Sequence, residues 1–267
     1  MKQSSIIILT AMILLSTSVV HAENYLPAVP ALGATHPTLI FDEEFNHPDL
    51  NSNIWYTDFL GHQRIRPNEL GYYSVDGVIL GDGHITLQTS QTPQGGLSYT
   101  AGVLATYPEP RAGHTGFQQL YGIFEVKARV ATTYGVKSDF WMKSIRGWPP
   151  EIDIFEIWGQ SPANIAQTVH YKTLGVQNNA LSYTYKPVNT HSTAAVAAWA
   201  AAYHTYTIEW RPNYITWYVD GVKTDTQTLG IPNTALYMIL ESDVEPSING
   251  SSVFPSNYDI QYVRAWQ

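Results

Sequence analysis

Apolar and polar residues alternate in many short segments of the chain, and tight turns separate these segments. The alternation is strict in residues 121–130 (Tyr-Gly-Ile-Phe-Glu-Val-Lys-Ala-Arg-Val). This pattern is typical of half-exposed strands, because successive strand side chains point to opposite faces. Asp-Gly pairs at residues 76–77, 82–83 and 220–221 are turn signals. The pattern predicts an all-β chain folded as a sandwich or barrel.

Three other segments depart from this pattern. Residues 194–202 are Ala-rich and follow two capping candidates, Ser192 and Thr193, which predicts a short helix or a loop because nine residues make a marginal helix. Residues 1–22 have a positive start, a short apolar run and a small-residue cleavage site, which indicates a secretory signal. Residues 23–38 contain three prolines and no periodicity, so we expect an N-terminal tail before one domain at residues 39–267.

The composition narrows the range of partners. The net charge of −8 argues against nucleic acid and anionic membranes as partners. The chain has no Cys, so an exported form would depend on its core for stability. Charged residues make up only 13% of the chain, which also has 18 Tyr and 8 Trp. This balance suits a neutral ligand rich in hydroxyls, such as a sugar, although we expect most of the rings in the core.

Residues 148–158 carry three carboxylates within an apolar alternating segment. Glu151, Asp153 and Glu156 lie among Ile and aromatic residues. Like charges on one face of a strand repel each other, so stability alone gives no reason for them. Glu156 lies five residues after Glu151, and strict alternation would point it into the core. One extra residue between Asp153 and Glu156, a β-bulge, would return Glu156 to the face of the other two.

The segment Glu-Ile-Asp-Ile-Phe-Glu, preceded by Phe-Trp and Trp-Pro-Pro, resembles the catalytic strand of glycoside hydrolase family 16. More narrowly, it resembles the E-x-D-x-x-E branch, which includes laminarinases and bacterial endo-β-glucanases. Further segments that resemble the family lie at residues 39–46, 99–106, 121–130, 206–221 and 258–266. The resemblance implies a single-domain, concanavalin-like β-jelly-roll sandwich of two curved antiparallel sheets with an open groove.

The resemblance also implies a role for each carboxylate. Glu151 would be the nucleophile, Glu156 the acid and base, and Asp153 an assisting residue between them. The Cα atoms of Glu151 and Glu156 would lie roughly 13 Å apart along the strand. Side chains that lean together could bring the carboxyl groups to about 5–5.5 Å, as a retaining mechanism requires. Glu156 would carry the proton, because a neighbouring carboxylate disfavours a second negative charge.

Six further residues are candidates for substrate binding. Trp148 is the candidate sugar-stacking platform, and the other five are Trp141, Trp158, His170, Asn68 and Glu69. No cofactor is expected. The family often has a structural calcium ion, for which this chain offers Asp259 or Glu43 as candidate ligands.

Together these features predict a retaining endo-glycoside hydrolase that is secreted or periplasmic, monomeric and free of the membrane after signal cleavage. The expected substrate is a polysaccharide, a β-1,3- or mixed β-1,3/1,4-glucan. Two departures from the family leave the substrate open: Val103 where laminarinases often have Arg, and Glu-Ser-Asp-Val-Glu at residues 241–245. The alternatives are a galactan such as agar or carrageenan, a bacterial exopolysaccharide, transglycosylation, and a non-catalytic carbohydrate-binding protein.

Overall fold

The computed structural model describes residues 27, 37–109, 114–173, 176–186 and 192–267. Within these residues the chain forms sixteen strands and one α-helix. The predicted signal at residues 1–22 lies outside the described residues, as does most of the predicted tail at residues 23–38. No helix of the described part is long and apolar enough to cross a membrane.

The strands are short, as the turn spacing predicts. They are β1 (Leu39–Glu43), β2 (Gly71–Tyr73), β3 (Val78–Gly81), β4 (His84–Thr89), β5 (Tyr99–Ala105), β6 (Gln118–Gln119), β7 (Gly122–Arg129), β8 (Val136–Lys143), β9 (Glu151–Trp158), β10 (Ile165–Thr173), β11 (Val176–Tyr185), β12 (His204–Arg211), β13 (Tyr214–Val219), β14 (Val222–Gln227), β15 (Leu236–Val244) and β16 (Ser256–Trp266). A single 3₁₀ turn, Val75–Gly77, precedes β3.

Two eight-stranded sheets make up the fold. Sheet 1 has the order β14-β13-β12-β7-β16-β4-β3, with β1 paired to β16. Sheet 2 has the order β11-β10-β9-β8-β15-β5-β2, with β6 paired to β15. Neighbouring strands pair antiparallel, except that β2 pairs parallel with β5. The predicted all-β sandwich of two antiparallel sheets is confirmed, and the acidic strand β9 lies near the middle of sheet 2.

The apolar face of β9 fixes this strand against sheet 1. Ile152, Phe155 and Ile157 are fully buried, and each such side chain contributes about 1.5–3 kcal/mol through burial. The Phe155 ring lies 4.3 Å from the Tyr206 ring of β12. The Trp217 indole of β13 donates a hydrogen bond of 3.0 Å to the backbone carbonyl of Asp153. The core therefore holds the backbone of β9 from below while its acidic side chains point away.

A second, smaller apolar cluster covers part of the acidic face of sheet 2. The loop between β1 and β2 places Phe59 4.8 Å from the Tyr73 ring and 6.3 Å from the Trp141 ring. Val103 and Ile239 are buried in the same cluster. The loop thus covers the β5 side of this face, and the pocket above the acidic residues of β9 remains open.

One helix confirms the prediction made for residues 194–202. Helix α1 spans Thr193–Ala200, and the Ser192 hydroxyl caps it by accepting a hydrogen bond of 3.4 Å from the Ala195 amide. Such a cap satisfies one of the amides that a helix N-terminus leaves without a partner. The helix packs through Trp199 and Ala200, which are buried.

Candidate active site

A β-bulge in β9 brings the three carboxylates to one face. Asp139 of β8 pairs with Glu156 and Trp141 pairs with Asp153, so two steps along β8 match three steps along β9. The pairing with β10 has the same offset. The extra residue predicted from the spacing is therefore present. Glu151, Asp153 and Glu156 all line one pocket.

His170 lies between the first two carboxylates. Its Nε2 atom is 3.5 Å from Glu151 Oε1 and 3.3 Å from Asp153 Oδ2. The Trp148 indole lies against Glu151 and favours the charged form of its carboxyl, which lowers its pKa, and the Trp148 ring lies 5.7 Å from the His170 ring. The side chains of Glu151 and Asp153 are only 13% and 5% exposed. Polar donors therefore surround a carboxylate pair that has little access to water.

Burial of this pair favours a bound proton. Burial and the neighbouring Asp153 raise the pKa of Glu151 to about 8, against the opposing effect of His170. Burial likewise raises the pKa of Asp153 to about 6, while a hydrogen bond with His170 limits the rise. Because the two groups interact, the proton belongs to the pair. Near neutral pH, one carboxyl of the pair can be ionised while the other holds the proton.

Glu156 has a different environment, dominated by Lys137 of β8. The Lys137 ammonium donates a hydrogen bond of 3.1 Å to Glu156 Oε1 and lies 3.2 Å from Asp139 Oδ2. It also lies 3.7 Å from Asp243 and 3.8 Å from Glu245. Burial opposes its charge, but Asp139, Asp243 and Glu156 hold the pKa of Lys137 well above its ordinary range. Lys137 is therefore a permanent cation at the end of the acidic row.

A third acidic group lies beyond β9, around Glu241 of β15. Glu241 accepts hydrogen bonds from the Trp141 indole (3.0 Å), from Arg66 (3.2 Å) and from the Tyr73 hydroxyl. The Tyr73 oxygen also lies 2.6 Å from Glu69. One hydroxyl donates a single hydrogen, and burial raises the pKa of Glu69 to about 7. A protonated Glu69 that donates to Tyr73 accounts for the second contact.

The candidate substrate-binding residues divide into two sets. Glu69 and Trp141 line the pocket. Trp141 is 5% exposed, and the Arg66 guanidinium lies 5.1 Å from its ring centre, so little of that ring can contact a ligand. Asn68 is exposed in the turn before Glu69 and does not line the pocket.

The other set lies beside the carboxylates of β9. His170 contacts Glu151 directly. Trp148 is 45% exposed at the entrance to the site. Trp158 is half-buried at the end of β9, with its ring centre 5.5 Å from Lys137 Nζ. These three residues surround the carboxylates on two sides.

Four charged residues of the site were missed in the sequence: Lys137, Asp139, Glu241 and Asp243. All but Lys137 are buried, and all lie next to the pocket of β9. A signal was present, because charged residues occupy alternate positions in β8 (Lys137 and Asp139) and in β15 (Glu241 and Asp243), each pair next to an apolar run. The same pattern of charged residues at alternate positions identified Glu151 and Asp153 in β9. It could have been applied to β8 and β15 as well.

The residues named for calcium are engaged by other donors. Asp259 accepts hydrogen bonds from the Thr86 hydroxyl (2.6 Å) and from Arg129 (2.5 Å). Glu43 accepts one from the Phe45 amide (2.9 Å) and one from the Trp55 indole (3.0 Å). Calcium requires several free oxygen ligands, so these residues, as arranged, do not fit the ion.

We expect the contribution of Glu151 to the stability of the fold to fall as the pH rises from about 4.5 to about 8, because folded Glu151 holds a proton that the unfolded chain releases. Below the ordinary pKa of 4.5 the Glu151 carboxyl is protonated in both states, whereas above about 8 the fold must bury its charge. Glu151→Gln should therefore melt at least about 3 °C above wild type at pH 8 and close to wild type at pH 4. Thermal unfolding followed by circular dichroism measures both.

The control for this measurement is Glu209→Gln on sheet 1, the same carboxyl-to-amide change at a residue outside the pocket. An equal shift of the Glu151→Gln melting temperature at both pH values would contradict a buried, proton-binding Glu151.

Comparisons with known proteins identify the family of the chain. A model of the family Glycosyl hydrolases family 16 matches residues 82–241. The endo-1,3-1,4-beta-glycanase EglC of Rhizobium meliloti (strain 1021) is 32% identical over 214 residues, which are 71% of this chain and 42% of that protein. The Beta-glucanase of Rhodothermus marinus is 30% identical over 203 residues, 70% of this chain and 64% of that protein. The chain thus spans 42% and 64% of the length of these two relatives.

The fold has close counterparts among solved structures. The catalytic domain of an endo-1,3-beta-glucanase (laminarinase) from Thermotoga petrophila RKU-1 superposes with a TM-score of 0.72 at 22% identity, covering 86% of this chain and 98% of that chain. At this identity the likeness concerns the fold alone. The family model, in contrast, matches the sequence over more than half of the 267 residues and includes the whole acidic strand. The chain therefore belongs to glycosyl hydrolase family 16.

Proposed function

We propose that the chain is a retaining endo-glycoside hydrolase of a β-1,3- or mixed β-1,3/1,4-glucan. The observation that carries this proposal is the bulge in β9, which gives Glu151, Asp153 and Glu156 a common face in one pocket. Two relatives support the substrate class, since one is named endo-1,3-1,4-beta-glycanase and the other Beta-glucanase.

In the first step, the Glu151 carboxylate attacks the anomeric carbon and the bond to the leaving sugar oxygen breaks. Glu156 gives its proton to that oxygen, and a covalent glycosyl-enzyme ester forms on Glu151. The Trp148 indole and His170 face Glu151 and stabilise its charged form. Because Glu151 has the higher pKa of the two, the proton that the pair shares must pass from Glu151 to Asp153 before Glu151 attacks.

In the second step, water attacks the same anomeric carbon and releases Glu151. Glu156, now a carboxylate, takes the proton from this water and returns to its starting state. Two inversions leave the configuration of the product unchanged. No step needs a metal or an organic cofactor.

The surroundings of β9 suit a neutral sugar chain on one side. Thr168 lies opposite Asp153 on β10, and Ser182 lies opposite Thr168 on β11, so the three share a face. The hydroxyl oxygens of Thr168 and Ser182 are 2.9 Å apart, and neither group carries a charge. Trp148, exposed at the entrance, offers an apolar ring on which a sugar face can stack. We further propose that residues 1–22 direct export and that the mature protein acts as a monomer.

The experiment that tests this function is a reducing-end assay on five polymers: laminarin, mixed-linkage β-glucan, agarose, carrageenan and β-galactan. We expect release from the two β-glucans, with a fall in viscosity before most of the reducing ends appear, because endo-cleavage shortens chains early. Glu151→Ala, purified in parallel, is the inactive control.

Each other outcome changes a different part of the proposal. Release from a galactan alone would keep the mechanism and reject the β-glucan. A product dominated by longer chains would indicate transglycosylation. A folded wild type that binds a polymer and cleaves none would contradict catalysis altogether.

A further inference from the structure

Lys137 is a partly buried cation that the mechanism above does not use. It lies on β8, whose alternate residues Lys137, Asp139 and Trp141 share the face of the carboxylates of β9. Its side chain is 14% exposed. Within the part of the chain that the structure describes, Lys137 is the one cation within 4.0 Å of the Glu156 carboxyl.

Carboxylates face Lys137 from every strand packed against it. They are Asp139 on β8, Glu156 on β9, Asp243 on β15 and Glu245 just after β15. Asp153 and Glu241 act on the same site from slightly further away. The Lys137 ammonium thus forms ion pairs with several carboxylates, and the shortest of these contacts is with Glu156.

This contact distinguishes the two oxygens of Glu156. Lys137 donates to Oε1, and an ammonium has no lone pair with which to accept a hydrogen bond. A proton on Oε1 would therefore point at a donor. The proton of a protonated Glu156 is accordingly favoured on Oε2, the oxygen that Lys137 does not hold.

We propose that Lys137 is a positioning residue for Glu156, which it orients so that Oε2 carries the proton to the leaving oxygen. The inference rests on the proposed function, since it assigns Glu156 as the acid. In this role Lys137 acts through the carboxyl group of Glu156, with which it makes its shortest contact. A catalytic group displaced by about 1 Å can lose on the order of 10²-fold in rate.

The test uses two substrates with the same glucan chain and different leaving groups. One is a laminarin oligosaccharide, whose sugar leaving group needs a proton. The other is the matching 2,4-dinitrophenyl glycoside, whose leaving group departs without one. The ratio kcat/KM reports the first chemical step for both. Lys137→Met should lower kcat/KM on the order of 10²-fold for the oligosaccharide and less than about threefold for the aryl glycoside.

Two variants serve as controls. Lys137→Arg keeps a cationic donor and should recover most of the oligosaccharide activity. Lys223→Met removes an exposed lysine from the edge strand β14 and should match wild type on both substrates. If Lys137→Met does not fold, the double variant Lys137→Met/Asp243→Asn replaces it in the same comparison. This variant removes the carboxylate of Asp243 together with the cation of Lys137.

Equal losses on the two substrates would show that Lys137 only maintains the fold and would overturn the inference, as would wild-type activity on both. A folded wild type that hydrolyses neither substrate would instead reject the proposed function, and the inference would fall with it. The two failures are thus distinguishable.

Discussion

Glu151→Gln should lose at least about 10⁴-fold in kcat on any β-glucan that the wild type cleaves. The amide nearly matches the carboxylate in shape, but it cannot form the glycosyl ester. The loss should therefore be in kcat, while binding of the polymer persists. Reducing-end kinetics measure the first quantity and affinity electrophoresis in laminarin gels measures the second.

A covalent trap locates the ester directly. Wild type incubated with a 2-deoxy-2-fluoro glucoside that bears a good leaving group should gain the mass of one fluorosugar, and peptide mapping should place it on Glu151. Glu151→Gln should gain no mass, and Glu209→Gln on sheet 1 should behave like wild type. Labelling of Glu156 or Asp153 in the wild type would reverse the assignment.

Glu156→Ala should have the second-largest effect, a loss on the order of 10²–10⁴-fold on polysaccharides, which is the usual contribution of general acid–base catalysis. The aryl glycoside should still form the ester, because its leaving group needs no proton. Azide can enter the space left by the carboxyl and attack the ester without a base. Added azide should therefore accelerate turnover of the aryl glycoside and yield a β-glycosyl azide.

The configuration of this product decides the interpretation. Proton NMR distinguishes the β-azide from the α-azide, and only the β-product agrees with a double displacement. Glu151→Ala provides the opposite control, because azide attack in the absence of the nucleophile would give the α-product. A Glu156→Ala variant with unaltered polysaccharide activity would mean that another group supplies the proton.

The bulge in β9 was predictable because it follows from residues close together in sequence. The spacing of Glu151, Asp153 and Glu156 conflicts with a period of two, and one extra residue resolves the conflict. The alternation of apolar residues also predicted the sandwich. Both inferences depend on local geometry, which a single sequence contains in full.

The environment of Glu156 was not predictable in the same way. Glu241 lies directly beside Asp139 although about a hundred positions separate them in sequence, because β15 is the neighbour of β8. Strand order in a sheet depends on how the chain crosses over, which alternation does not determine. The acids at residues 241–245 were visible as a departure from the family and Lys137 as a charge in an alternating strand, but only the fold shows that they are partners.

Trp141 is a second case in which the sequence did not predict the surroundings of a side chain. Its place just before the acidic strand suggested an aromatic contact to substrate. The loop that precedes β2 instead covers it with Phe59 and Arg66, and its indole binds Glu241. Loop paths of this kind depend on packing between distant segments, so the sequence could place the ring near the site but could not show whether it is accessible.

The hydrogen bond from the Trp217 indole to the Asp153 carbonyl means that the acidic strand cannot be transferred alone to another protein. A bulge interrupts the regular ladder, and a buried carbonyl at that point needs a donor. Here the donor comes from the opposite sheet. Grafting the eight residues of β9 onto another sandwich would move three carboxylates without the anchor beneath them. A designer would have to transplant a two-layer unit, strand and underlying indole together, to reproduce this site.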